Sequence, residues 1–75
     1  MNSSATENRL EIVVNGQTRD VGVMTTIVSL LHELEIPLRG VAVEINGHIV
    51  PRSQYSERHL AAGDRLEIVS LVGGG

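Results

Sequence analysis

Seventy-five residues make one domain, near the lower size at which a single core suffices. A hydrophobic fraction of 41% excludes a generally disordered chain, and 1% aromatic residues leaves Val, Ile and Leu to build the core. The net charge of −3 provides no basic footprint for nucleic acid.

Residues 1–9 read as a loose leader, since Met1 to Asn8 is polar and without periodicity. The pattern then changes to Leu10-Glu11-Ile12-Val13-Val14, a strand with Leu10, Ile12 and Val14 on one face. Asn15-Gly16 follows, the dipeptide that best tolerates positive φ in a two-residue hairpin turn. A second strand, about Gln17 to Val23, returns with Arg19, Val21 and Val23 at alternate positions. Thr25 or Thr26 can cap a helix, because a hydroxyl there accepts from a free first-turn N–H. Ile27, Leu30, Leu31 and Leu34 form one apolar stripe, which predicts a helix from about Thr26 to Glu35 covering a sheet. Pro37 is expected to end it, because the residue before a proline is pushed out of the helical region.

Val41, Val43 and Ile45 mark a third strand facing that helix. Asn46-Gly47 repeats the turn signal, and Ile49-Val50 is a short return strand closed by Pro51. Arg52 to His59 is polar and irregular, with Tyr55, the chain's one aromatic residue, tucked beneath it. Gly63-Asp64 turns into a last strand, about Arg65 to Leu71, with Leu66 and Ile68 on one side and Val69 and Leu71 on the other. One helix shields only one face, so Val69 and Leu71 are read as a partner-facing patch rather than core.

Three glycines close the chain: Gly73, Gly74 and Gly75. Glycine weakens a strand or helix because it loses the most backbone freedom on folding, so a run of three does not hold a fold. Extended at ~3.3–3.6 Å per residue, the three form a thin arm of roughly 10 Å ending in a carboxylate. That arm suits insertion into another protein's active site; the bland alternative is an inert frayed end.

Other chemistry finds little support. All six basic residues are Arg, so there is no Lys for Schiff-base chemistry and no side-chain amine to which the chain could link itself. Cys is absent, which excludes disulfides, thiolate metal sites and a Cys nucleophile. His32, His48 and His59 lack ligand spacing and read as surface residues, while Glu33 and Glu35 read as a solvated helix face. The Gly-Gly-Gly run is no phosphate loop, since no helix and no Lys-Ser/Thr follows it. No apolar run approaches the ~20 residues of a membrane span, and no signal-peptide pattern is present, so a cytoplasmic location is expected.

The order strand-strand-helix-strand-strand-strand fits an α+β domain with one helix on a small mixed sheet. A right-handed crossover brings the later strands beside the first. If the last strand pairs in parallel with the first, this is the β-grasp arrangement of ubiquitin-like domains. Its extent is then 10–72, with 73–75 as a flexible tail.

From Leu10 to Gly75 the chain resembles the ThiS family, sulfur carrier proteins of thiamine biosynthesis. The matching residues are Val14-Asn15-Gly16, Thr26-Ile27-Val28-Ser29-Leu30-Leu31 and the segment Val43 to Tyr55 with its Asn-Gly-His-Ile-Val-Pro-Arg core. Gly63 to Val69 and the Val72-Gly73-Gly74-Gly75 ending complete them. Arg52, after Pro51, matches a family position and is equally well read as a loop residue.

The resemblance implies a carrier that is not itself an enzyme and is monomeric when free. An E1-like adenylyltransferase would use ATP to adenylate the Gly75 carboxylate. Sulfur from a cysteine desulfurase or persulfide donor would then displace AMP, leaving a thiocarboxylate for thiazole synthase. Gly73 and Gly74 would thread the partner's active site, and Val69, Leu71 and Val72 would dock. No bound cofactor, metal, membrane or nucleic acid is implied. Two alternatives remain open on the residues alone. One is another ubiquitin-like carrier, such as the small subunit of molybdopterin synthase or a carrier for tRNA thiolation or protein conjugation. The other is a β-grasp interaction module whose glycines are inert.

Overall fold

The structure, a computed structural model, describes residues 8–71. Strands β1 (Arg9–Val14) and β2 (Gln17–Gly22) are followed by helix α1 (Ile27–Glu33). Then come β3 (Val41–Ile45), β4 (His48–Ile49) and β5 (Arg65–Ser70). The strands form one mixed sheet in the order β2-β1-β5-β3-β4. The last strand lies at its centre, parallel to β1 and antiparallel to β3, as the β-grasp reading requires. β1 starts at Arg9, inside the stretch read as leader, and residues 1–7 of that leader lie outside the described residues.

Both Asn-Gly pairs make the expected hairpin turns, with φ of 49° and 85° at Asn15 and Gly16 and 53° and 85° at Asn46 and Gly47. The core lies between α1 and one sheet face. Ile12, Ile27, Leu30, Leu31 and Val43 are all fully buried there. These are the positions that the alternation of strands and the helical stripe assign to the inside.

Thr26 is the N-cap of α1. Its Oγ1 accepts from the Ser29 N–H at 3.2 Å, and the Ser29 Oγ accepts from the Thr26 N–H at 2.8 Å. This reciprocal pair satisfies two otherwise orphaned donors. The stretch after β4 satisfies two more: the Ile27 N–H donates to the Arg58 carbonyl and the Val28 N–H to the Tyr55 carbonyl. That docking explains why Tyr55 and Leu60 are buried within a polar sequence that also contains a 3-10 turn at Arg52–Gln54.

Further boundaries differ from the sequence reading, and β2 ends at Gly22 rather than Val23. Val50 leaves the β4 ladder, although it is buried and its N–H still donates to the Val43 carbonyl. β5 stops at Ser70, with the Leu71 N–H donating to the Gly40 carbonyl. The helix ends at Glu33, earlier than expected, and Pro37 is not what ends it. Glu35 adopts φ of 61°, which lets its N–H reach the His32 carbonyl and the Ile36 N–H reach the Leu31 carbonyl. These are the two bonds of a Schellman cap, a position that favours glycine. Ile36 then packs on the core.

A left-handed residue with a Cβ costs roughly 1–2 kcal/mol, partly offset by the extra freedom glycine has when unfolded. Glu35→Gly is therefore expected to stabilise the domain by about 0.5–1 kcal/mol, raising Tm by roughly 4 °C, as read by thermal circular dichroism. A lowered Tm would mean that the Glu35 side chain contributes more than its backbone costs.

Candidate functional site

β5 is the last strand before the glycine ending in sequence, and two ladders and two asparagine side chains hold it. Its ladder with β3 pairs Val41 with Ser70 through Ile45 with Leu66. Its ladder with β1 is short, covering only Val13 with Arg65 and Val14 with Leu66. Beyond that point β1 turns away, and the Asn15 side chain takes its place. Its Oδ1 accepts from the Ile68 N–H at 2.8 Å and its Nδ2 donates to the Ile68 carbonyl at 3.3 Å. A side-chain amide carries the same donor and acceptor as a strand residue, so it extends the sheet by one rung.

Asn46 does the equivalent at the start of β5. Its Oδ1 accepts from the Arg65 N–H and its Nδ2 donates to Asp64 Oδ1, both at 3.0 Å. Asp64 is buried, and its second oxygen accepts from the Ala61 N–H at 2.8 Å. Both asparagines thus serve twice, as positive-φ turn residues and as clamps on β5. Turn propensity revealed only the first role. The second depends on where β5 passes, which no local pattern states.

The two faces of β5 differ sharply. Leu66 is buried and Ile68 half-buried against the core, while Val69 and Leu71 are 53% and 67% exposed on the face that α1 leaves open. Val69 lies opposite Ala42, and Glu67 lies opposite Glu44. Ile49 stands opposite Glu44 on β4 and is 72% exposed. It therefore joins the same open face, a placement hidden by its reading as part of an ordinary return strand. The two-residue turn at Asn46-Gly47 fixes the pairing of Glu44 with Ile49 and was the available signal. Of the residues expected to dock or carry sulfur, Val72, Gly73, Gly74 and Gly75 lie outside the described residues.

The remaining candidates stay apart. His32, His48 and His59 are exposed, and among the described residues no group of three or more His, Asp or Glu side chains is placed to hold a metal. Arg52 is exposed, and its carbonyl accepts from the Tyr55 N–H in the 3-10 turn. No helix among the described residues is long and apolar enough to cross a membrane.

Comparison with known proteins converges on one family. The profile described as the ThiS family matches residues 12–75. The sulfur carrier protein ThiS of Escherichia coli is 30% identical over 66 residues, covering 88% of this chain and 100% of that protein. A thiazole synthase of Paramagnetospirillum magneticum is 44% identical over 66 residues, covering 88% of this chain. The chain spans only 20% of that synthase's length. Among solved structures, the thiamine biosynthesis protein ThiS from Geobacter metallireducens superposes with a TM-score of 0.74 at 28% identity, covering 88% of this chain and 100% of that one.

Proposed function

This chain belongs to the ThiS family, and we propose that it carries sulfur for thiazole formation on the carboxylate of Gly75. The observation that supports the reading best is the position of β5. A centrally paired, doubly clamped strand leads directly into Leu71 and then the Val72-Gly73-Gly74-Gly75 ending. A rigid base followed by residues without side chains is what delivery of a carboxylate into a narrow site demands.

The chemistry follows from the carboxylate. Ionised at neutral pH, it is a poor electrophile. In the active site of an E1-like adenylyltransferase, one carboxylate oxygen attacks the α-phosphorus of ATP and pyrophosphate leaves. The resulting acyl adenylate has AMP as its leaving group. The terminal sulfur of a persulfide, made by a cysteine desulfurase or another donor, attacks the carbonyl carbon and AMP departs. A thiol then cleaves the acyl disulfide and frees the thiocarboxylate. The carrier contributes no base, metal or nucleophile; it is a protein co-substrate rather than an enzyme, acting in the cytoplasm as a monomer between encounters. Thiazole synthase is the proposed acceptor. A segment similar to this chain shares one polypeptide with that activity in the Paramagnetospirillum relative.

Incubating the chain with the activating enzyme, ATP and a sulfur donor should replace one oxygen by sulfur, seen in the intact mass. An unchanged mass under conditions that load a known ThiS would overturn the carrier reading. Loading followed by sulfur transfer to molybdopterin synthase instead of thiazole synthase would move the chain to another pathway.

Docking should use the open face. Leu71→Glu places a charge on a 67% exposed position beside the tail, so the fold should survive while binding to thiazole synthase falls about tenfold or more. Circular dichroism and a binding titration of each protein check this. Unchanged affinity would move the interface elsewhere.

A further inference from the structure

Glu44 and Glu67 are directly opposite one another on β3 and β5, on the sheet face that α1 leaves open. Side chains so placed have Cβ atoms about 4.5–5.5 Å apart, and like charges there repel. Neither carboxylate has a hydrogen-bond or ion-pair partner among the described residues, and Arg65, two places back along the same face of β5, pairs with neither. The arrangement recurs across β1 and β2, where Glu11 lies opposite Asp20. There the Arg9 guanidinium donates to the Asp20 backbone carbonyl at 3.0 Å beside the carboxylates, whereas no described residue bonds to the Glu44 or Glu67 carboxylate.

The surroundings of the first pair are apolar on two sides. Val69 lies next along this face of β5 towards the C-terminus, with Ala42 opposite it on β3, and Ile49 lies opposite Glu44 on β4. Along the open face of β5 the order is Glu67, Val69, Leu71, then the residues leading to Gly75. The strip ends at Leu71, four residues before Gly75 in sequence.

We infer that the strip docks a protein partner that sets an arginine or lysine over the Glu44–Glu67 pair and covers Ile49, Val69 and Leu71 with apolar side chains. Charge complementarity selects this occupant. A cation between the two carboxylates converts a repulsion into two attractions, and exclusion of water by the flanking apolar contacts strengthens both. The same charges disfavour a second copy of this chain, whose face would bring carboxylates to carboxylates. From Glu67 to Leu71 is roughly 13 Å at the rise of a strand, so the partner's cation stands about that far behind the mouth that admits the tail. The inference rests on the carrier reading, because it takes the tail's destination to be a partner's active site.

The test compares wild type with Glu44→Gln, Glu67→Gln and the double variant, which keep shape and remove charge. Each is titrated against thiazole synthase and against the activating enzyme, at low and at physiological salt. The melting temperature of each free carrier is measured alongside. Expected are a threefold to tenfold loss of affinity per single variant at low salt, a flattened salt dependence in the double variant, and a higher melting temperature for the free double variant. If wild type binds and the double variant binds equally well with the same salt dependence, the inference falls and the carrier reading stands. A free double variant that melts below wild type overturns it too, since the carboxylates would then serve the fold. Self-association of wild type through this face, lost in Leu71→Glu, would replace the basic partner by a second copy. If wild type binds neither protein, the carrier reading fails and takes the inference with it.

Discussion

A single alanine added after Gly75 is expected to abolish ATP-dependent sulfur loading while leaving folding and docking unchanged. Adenylation needs a carboxylate oxygen as nucleophile. Extension turns the Gly75 carboxylate into an amide carbonyl and moves the charge one residue beyond its place. Two of the groups that carry the fold, the β3–β5 ladder and the Asn15 clamp, end by Ser70, so the extension touches neither. Gly74→Ala is the finer variant. It keeps the carboxylate and adds one methyl, which widens the chain and restricts positive φ. Loading should slow with Gly74→Ala and stop with the extension. The assay is intact-mass detection of oxygen-to-sulfur exchange, with trimming of the added residue excluded by the same spectrum. If the extended, untrimmed chain still acquires sulfur at its terminus, the carrier site is not Gly75 and the proposed function falls.

The largest effect on stability is expected from Leu31→Ala. Leu31 is fully buried at the middle of the α1 stripe, and its carbonyl also receives the Ile36 N–H that closes the helix. Truncating a buried leucine to alanine typically costs about 2–5 kcal/mol, through lost transfer energy and the cavity left behind. A domain of this size has a total stability of roughly 4–11 kcal/mol. Thermal circular dichroism should show Tm lowered by at least about 10 °C. Met24, at 72% exposure, supplies the contrast: Met24→Ala should shift stability by no more than about 0.5 kcal/mol. Similar melting of the two variants would show that α1 does not cover the sheet as described.

Much of this architecture was readable from local pattern, and the failures share a cause. Strand alternation at Ile12, Val43 and Leu66 and the stripe at Ile27, Leu30 and Leu31 each repeat with a period set by one element, so they point inward without knowledge of the rest. The Asn-Gly pairs likewise announce their turns. Glu35 was misread because nothing marks a glutamate as left-handed; the Schellman bonds that hold it there need Ile36 to find the core. Asn15 and Asn46 clamp a strand 53 and 19 residues away, measured to Ile68 and Arg65, so their second role belongs to tertiary structure alone. The facing of Glu44 and Glu67 depends on the antiparallel register of β3 with β5. A spacing of residues along the chain does not contain it. Val69 and Leu71 were legible as a patch because apolar residues on both faces of a strand, beside a single helix, leave one set uncovered.

The central position of β5 has a mechanical consequence. A pull applied to the chain beyond Leu71 reaches the sheet through β5. On one side lies parallel β1, on the other antiparallel β3, with the Asn15 amide as an extra rung near the pulled end. Traction along that strand shears the rungs of both ladders together rather than peeling them one after another. The load is therefore shared between the two ladders and the Asn15 amide. Had the tail sprung from edge strand β4, whose ladder with β3 pairs only His48 and Ile49, the same pull would have found two rungs to break.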